Sequence, residues 1–288
     1  MTSLARMAGW LVVVSMLTLG PGAFGGARQL SSVATSGPPF SNPAANLPTP
    51  ADVDGGGSPC VPAGGDRWTA CNRILLAAIN SAQVTEHLRG FTLPSDFLAL
   101  SPAQQLFVWV NLERISRGVP PLVGLSPYLS ALATAAAKKG TYVHFQKSYG
   151  PVTVAVAPHT RDYAWSAFVD GGSGMSMAGG PVFTWMYQDG WGGAGGSFGG
   201  TPNGACTSPK AAGCWRDRDG LLGLATGQTC SDCIAGAATA PVFIDTWSLV
   251  VIRSSHFPTP LNFTWDANVL PYLPPGYERV RAAYGGDN

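Results

Sequence analysis

The chain has 288 residues, of which only 11% are charged, against roughly 25% in an average soluble domain. Its 17 Lys and Arg nearly balance 16 Asp and Glu and are scattered, so there is no basic footprint for a polyphosphate backbone and nucleic acid is excluded as a partner. Apolar residues make up 45%, enough for a full core, which excludes global disorder, collagen and coiled coil; the length fits one domain, or one domain with an arm.

Arg6 precedes an apolar run from Ala8 to Leu19, and small residues at Ala23, Gly25 and Ala27 follow Pro21. This order predicts a secretory signal peptide over 1–27, with an uncleaved N-terminal anchor as the alternative; no later stretch is apolar enough to span a bilayer. Export permits disulfides, and the six cysteines are Cys60, Cys71, Cys206, Cys214, Cys230 and Cys233. Sequence proximity favours the pairs Cys60 with Cys71, Cys206 with Cys214 and Cys230 with Cys233, one of about 15 connectivities.

Residues 28–65 are Ser, Pro, Gly and Ala with little apolar periodicity, the composition of a flexible linker. Over 66–99, Trp68, Ile74, Leu75, Ala78 and Val84 fall at helical spacings before Gly90 and Pro94, which predicts an N-terminal helical extension packed on the main domain. Ser101-Pro102-Ala103-Gln104 is a capping box with Pro at the first helical position. The helix it opens carries Leu106, Phe107, Trp109, Val110, Leu112 and Ile115 and stops at Gly118 and Pro120-Pro121, so it is mostly buried. Ser126-Pro127 repeats the signal for a second helix with Leu129, Leu132, Ala133 and Ala136 on one stripe and Gly140 beyond its end.

Further on, Val152, Val154 and Val156 alternate, Cys230 to Ala238 is short and small, and Pro241 to Ile252 is rich in Val, Ile, Phe and Trp, all predicting strands. Pro181 to Gln188 predicts one or two helical turns, and Gly190 to Gly204 is too glycine-rich for regular structure. Helices followed by strands give an α+β domain.

Val110-Asn111-Leu112-Glu113-Arg114, Gly118, Pro120-Pro121-Leu122 and then Leu129, Leu132, Ala133 and Ala136 resemble the opening helices of the CAP superfamily, also called the SCP or pathogenesis-related-1 family. A second block is similar to that family's C-W-G-H-R-x-x-I-L segment: Val182-Phe183-Thr184-Trp185-Met186, Cys206, and Cys214-Trp215-Arg216-Asp217-Arg218-Asp219 with Leu221-Leu222-Gly223. The resemblance covers 100–253, leaves 254–288 as a C-terminal extension, and implies an α-β-α sandwich with helices on both faces of a central antiparallel sheet. Many members hold two histidines and two glutamates around a cleft. Here the only glutamates are Glu86, Glu113 and Glu278, and Asp217 stands at the usual histidine. The stretch that usually reads G-E-N aligns with Trp165-Ser166-Ala167-Phe168, so the glutamate pair of the cluster is absent and at most His159, or less well His144, survives from it.

Three chemistries compete with bland alternatives. A metal site from His159 and Asp217 with Asp170 or Asp189 lacks the ligand spacing zinc sites show, and the alternating Arg216, Asp217, Arg218 and Asp219 read instead as a solvated or paired polar loop. Gly195-Gly196-Ser197-Phe198-Gly199 matches G-x-S-x-G with Asp245 and His256 downstream, the order of an α/β-hydrolase, but no helix follows the Ser to make the nucleophile elbow. Cys230-Ser231-Asp232-Cys233 opens a strand-like segment, which fits a structural bridge better than a redox pair. Tyr163, Trp165, Trp185, Tyr187, Trp191 and Trp215 fall where the CAP cleft would open and suit apolar or sugar ligands; Trp185 and Trp215 compete for the core, and Trp191 is the better exposed contact.

The expectation is therefore a secreted or cell-envelope CAP-like domain with a degenerate cleft, not an enzyme and without a cofactor, whose partner is a lipid-like small molecule or an envelope component. A hydrolase using Ser197 and His256, metal-assisted hydrolysis at His159 and Asp217, and a purely structural display domain are the alternatives.

Overall fold

The computed structural model describes residues 42–48, 66–139, 163–168, 177–193, 206–223, 231–241, 245–253 and 259–277. Helix α1 (Asp66–Thr85) starts where expected but ends before Arg89: His87 adopts a left-handed φ of 60°, and the His87 and Leu88 amides donate back to Val84 and Gln83. Helix α2 (Pro102–Ser116) has the predicted capping box, with the Ser101 hydroxyl accepting from the Gln104 amide and the Gln104 side chain accepting from the Ser101 amide. Gly118, at φ 71°, terminates it as its lack of a Cβ allows. Strand β1 (Gly124–Leu125), helix α3 (Pro127–Lys139) and strand β2 (Tyr163–Phe168) follow. Helix α4 (Gly179–Tyr187) and the short α5 (Arg216–Leu221) precede strands β3 (Cys233–Pro241) and β4 (Asp245–Arg253), then β5 (Phe263–Thr264) and α6 (Trp265–Asn268).

The strands form one mixed sheet in the order β2-β4-β3-β1-β5, antiparallel except for the β1 to β3 pair, so the architecture is α+β as expected. The expected strand around Val152 to Val156 lies outside the described residues. Period-two alternation along β3 and β4 divides the sheet into two faces. Ala235, Ala237, Trp247, Leu249 and Val251 join the larger core with Leu75 and Ile79 of α1, Trp109 and Leu112 of α2 and Phe183 and Trp185 of α4. Ile234, Ala238, Val250 and Ile252 pack on Leu129 and Ala133 of α3.

The small residues of β3 have a steric reason. A Cβ on Gly236 would stand 2.0 Å from the backbone carbon of Leu129, so α3 rests almost directly on the strand backbone. The predicted helical extension and the segment after 259 both feed the larger core, through Leu75, Ile79, Phe91, Trp265 and Leu273. All of these residues belong to one compact unit, Ser36–Asn288.

Candidate functional site

Two of the chain's three glutamates meet two arginines inside this unit. Glu86, just past α1, accepts from Arg117 Nη2 at 2.9 Å and from Arg218 Nη2 of α5 at 2.6 Å; Arg117 also pairs with Glu113 one turn back on α2. Both arginine side chains are fully buried and the Glu86 side chain is 7% exposed. Tyr187, at the end of α4, donates its hydroxyl hydrogen to Glu113 at 2.9 Å and accepts from Arg117 at 3.1 Å. Both guanidinium carbons lie within 6 Å of its ring centroid, at 5.9 and 5.8 Å. Gln83 Nε2 closes the cluster onto Glu113 and Ser116.

These four charges sum to zero, the condition under which burying them is tolerable. Burial pushes the Glu86 carboxyl up, but Arg117 and Arg218 outweigh it and hold the group below its ordinary value. Burial and the Glu113 charge raise the Tyr187 phenol well above its usual range. Burial works against the Arg117 cation, yet Glu113, Tyr187 and Glu86 together raise its pKa. Each group is matched and shielded, so the cluster ties α1, α2, α4 and α5 together.

The two sequence blocks that carry the family resemblance converge beside this cluster. The Asn111 side chain donates to the Leu122 carbonyl at 3.1 Å and accepts from its amide at 2.7 Å, fixing the Pro120-Pro121 loop. Arg114 donates through Nε to the Pro120 carbonyl and through Nη1 to the Leu221 carbonyl of α5, 107 residues away. Burial lowers the Arg114 guanidinium to about 9, which leaves it cationic at neutral pH.

Among the predicted site residues that the structure describes, Asp189, Trp215 and Asp217 meet at the start of α5. Asp217 is 8% exposed, and its amide donates to Asp189 Oδ2 at 2.7 Å, with the Arg218 amide at 3.3 Å. The Asp189 carboxylate thus accepts from the first amides of α5, work for which a carboxylate at a helix start is suited. The Arg216 to Asp219 stretch is helical rather than a loop, with Arg218 inside and Asp219 joined to Asn42. Burial raises the Asp219 carboxyl, opposed by Arg218 and Asn42. Trp185 and Tyr187 are buried in the core, not in a cleft wall. Trp215 is 9% exposed and sits in the left-handed region at φ 60°; a Cβ on Gly190 would come within 2.1 Å of its ring. Trp191 is open, 41% exposed.

Cys206 and Cys214 form a disulfide, and Cys233 is also disulfide-bonded; its expected partner Cys230 lies outside the described residues. Cys71 is buried on α1, and Cys60 is outside the described residues. So are His144, His159, Asp170, Ser197 and His256. Tyr163 and Trp165 stand in β2 opposite Val251 and Leu249, and Asp245 opens β4 opposite Pro241. No group of three or more His, Cys, Asp or Glu able to hold a metal occurs among the described residues, and no helix among them is long and apolar enough to cross a membrane.

A concave feature lies elsewhere among the described residues. A groove of about 450 Å³ runs along α1, floored by Ala77, Ala78, Ser81, Ala82 and Thr85, with Ile74 at one side. Phe183 of α4 and the pair Leu47 and Pro48 complete it. Sequence reasoning missed it because all of its residues but Phe183 fell in the stretches read as linker and extension. The signal was present as small residues recurring every three or four positions on one helical stripe, which leaves the helix surface low.

Residues 42–48, inside the predicted linker, are not a free tether. Asn46 is 3% exposed; its side chain donates to the Gly190 carbonyl at 2.8 Å and accepts from the Gly190 amide at 2.7 Å. Its backbone amide donates to Gly192, Leu47 donates to Tyr187, and Gln188 Nε2 donates to the Leu47 carbonyl. Compositional rules fail here because the attachment uses backbone groups and two amide side chains, Asn46 and Gln188, not apolar periodicity.

Comparisons of the chain with protein-family models, with curated proteins and with solved structures find no match.

Proposed function

We propose that this chain is a secreted CAP-like domain, an α-β-α sandwich with a degenerate cleft, that binds an apolar small molecule without chemistry on it. The groove carries this reading. Its volume is within the roughly 300–1,000 Å³ of small-molecule sites, and its lining is apolar apart from the Ser81 and Thr85 hydroxyls. That profile suits a lipid-like chain with few polar groups, free or from the cell envelope. The CAP resemblance is supported by the contact between its two blocks, Arg114 against Leu221, and by helices packed on both sheet faces. Export is supported by the Cys206–Cys214 disulfide.

Native mass spectrometry of the protein secreted by a bacterial host tests the reading. A retained apolar molecule that is lost on denaturation, and lost from Ala78→Phe, which fills the groove, is the expected result. Binding that survives Ala78→Phe rejects the groove as its site. Turnover of an ester probe that the native chain shows and Ser197→Ala loses points to the hydrolase alternative instead.

A further inference from the structure

The groove has two walls of different origin. One is helical, from α1 and Phe183 of α4, elements that are buried in the main core. The other is Leu47 and Pro48, which belong to no helix or strand. Their attachment runs through the residue before them. The Asn46 amide presents one donor and one acceptor to a single residue, Gly190, as a second backbone would. Its own backbone bridges to Gly193, whose φ of 81° and lack of a Cβ allow the approach: a Cβ there would stand 2.3 Å from the Asn46 carbonyl oxygen. Gly190 is equally dedicated, because Trp215 covers its Cα. The receiving turn is thereby sterically fixed, and Asn46 adds two side-chain bonds to it beside the bonds of the Asn46 backbone to Gly192 and of the Leu47 backbone to Tyr187 and Gln188.

We infer that Asn46 is the positioning residue of the groove: without touching the ligand, it sets where Leu47 and Pro48 stand and so the width of the site. The inference rests on the groove reading above and deepens it. No other residue type of that length supplies both the donor and the acceptor. Alanine removes both, and aspartate keeps only the acceptor and places a carboxylate oxygen against the Gly190 carbonyl.

The test uses the whole secreted chain and a fluorescent long-chain fatty acid as probe, with limited proteolysis of 42–48 followed in parallel. Asn46→Ala is expected to weaken binding about tenfold and to expose the strap to cleavage, because two buried hydrogen bonds are lost. Leu47→Ala, which trims the wall and leaves the clamp, is expected to weaken binding with cleavage unchanged. Asn46→Asp is expected to follow Asn46→Ala, and it stands in for that variant should it fail to fold. A native chain that binds, with Asn46 variants that bind equally well, overturns the inference alone, even if their melting temperature falls, since that outcome marks a merely structural residue. A native chain that does not bind the fatty acid overturns the groove reading and the inference with it.

Discussion

Replacing Glu86 by Gln keeps the side chain's shape and removes one charge from a buried, neutral group of four. The Glu86 carboxylate receives Arg117 at 2.9 Å and Arg218 at 2.6 Å, and both guanidinium groups are fully buried. The substituted amide would retain one acceptor oxygen but turn an NH2 donor toward a second donor, and the cluster would carry a net buried positive charge. Breaking a buried pair from one side costs about 3–5 kcal/mol; the 7% exposure of Glu86 argues for the lower end, about 3 kcal/mol. For a chain of this size that lowers the melting temperature by about 6–12 °C, read by calorimetry or by urea denaturation followed by circular dichroism. The loss also depends on pH. Glu86 titrates below its ordinary value of 4.5 when folded, so the unfolded chain binds the proton first. Its stabilisation is complete above the unfolded value and is lost as pH falls through the folded one. The gap between native and Glu86→Gln proteins should therefore be full near pH ~7 and shrink steadily below about 4.5. A gap under about 1 kcal/mol at neutral pH, or one that stays constant into acid, would refute the assignment of these four groups to one charge-balanced network.

Asn111→Ala leaves the buried Leu122 amide and carbonyl without the side chain that serves both, and should cost about 3 kcal/mol in urea denaturation. Gly236→Ala drives a methyl group into the α3 backbone at Leu129 and should cost about 3 kcal/mol, with β4 amides on that face losing hydrogen-exchange protection. Trp191→Ala removes an exposed side chain and should change stability by less than about 0.5 kcal/mol; a larger loss, by the same denaturation measurement, would assign Trp191 to the core.

Local grammar made much of the fold legible. Ser101 and Ser126, each followed by Pro, mark helix starts because a hydroxyl and a ring without an amide hydrogen both suit the first turn, and α2 and α3 begin there. The β3 and β4 strands were readable from small and β-branched residues. The charged cluster was not, because Glu86 is 31 residues from Arg117 and 132 from Arg218, and no period joins them. Glu86 counted only as a glutamate outside a family's expected cluster, and Glu113 as that and as part of the first block of the resemblance. Their buried role follows from helix packing that single-sequence patterns do not encode. Asp189 and Asp217 looked like ligands because carboxylates in a loop resemble a site, whereas the Asp189 carboxylate accepts from the Asp217 and Arg218 amides at the start of α5. The groove escaped for the opposite reason: its floor is made of small residues, Ala77, Ala78 and Ala82 with Ser81, which announce themselves only as a low surface.

The long separation of Glu86 from Arg218 also bears on the order in which the chain becomes stable. A growing or translocating chain that ends before α5 holds Glu86, Glu113 and Arg117 but not Arg218, so packing α1 on α2 at that stage would trap one uncompensated negative charge in the interior. The charge balance therefore disfavours closing α1 on α2 before Arg218 is present. An N-terminal fragment cut before residue 216 should remain open and susceptible to protease despite containing α1 to α4, because it lacks both Arg218 and the β3 and β4 strands on which those helices pack.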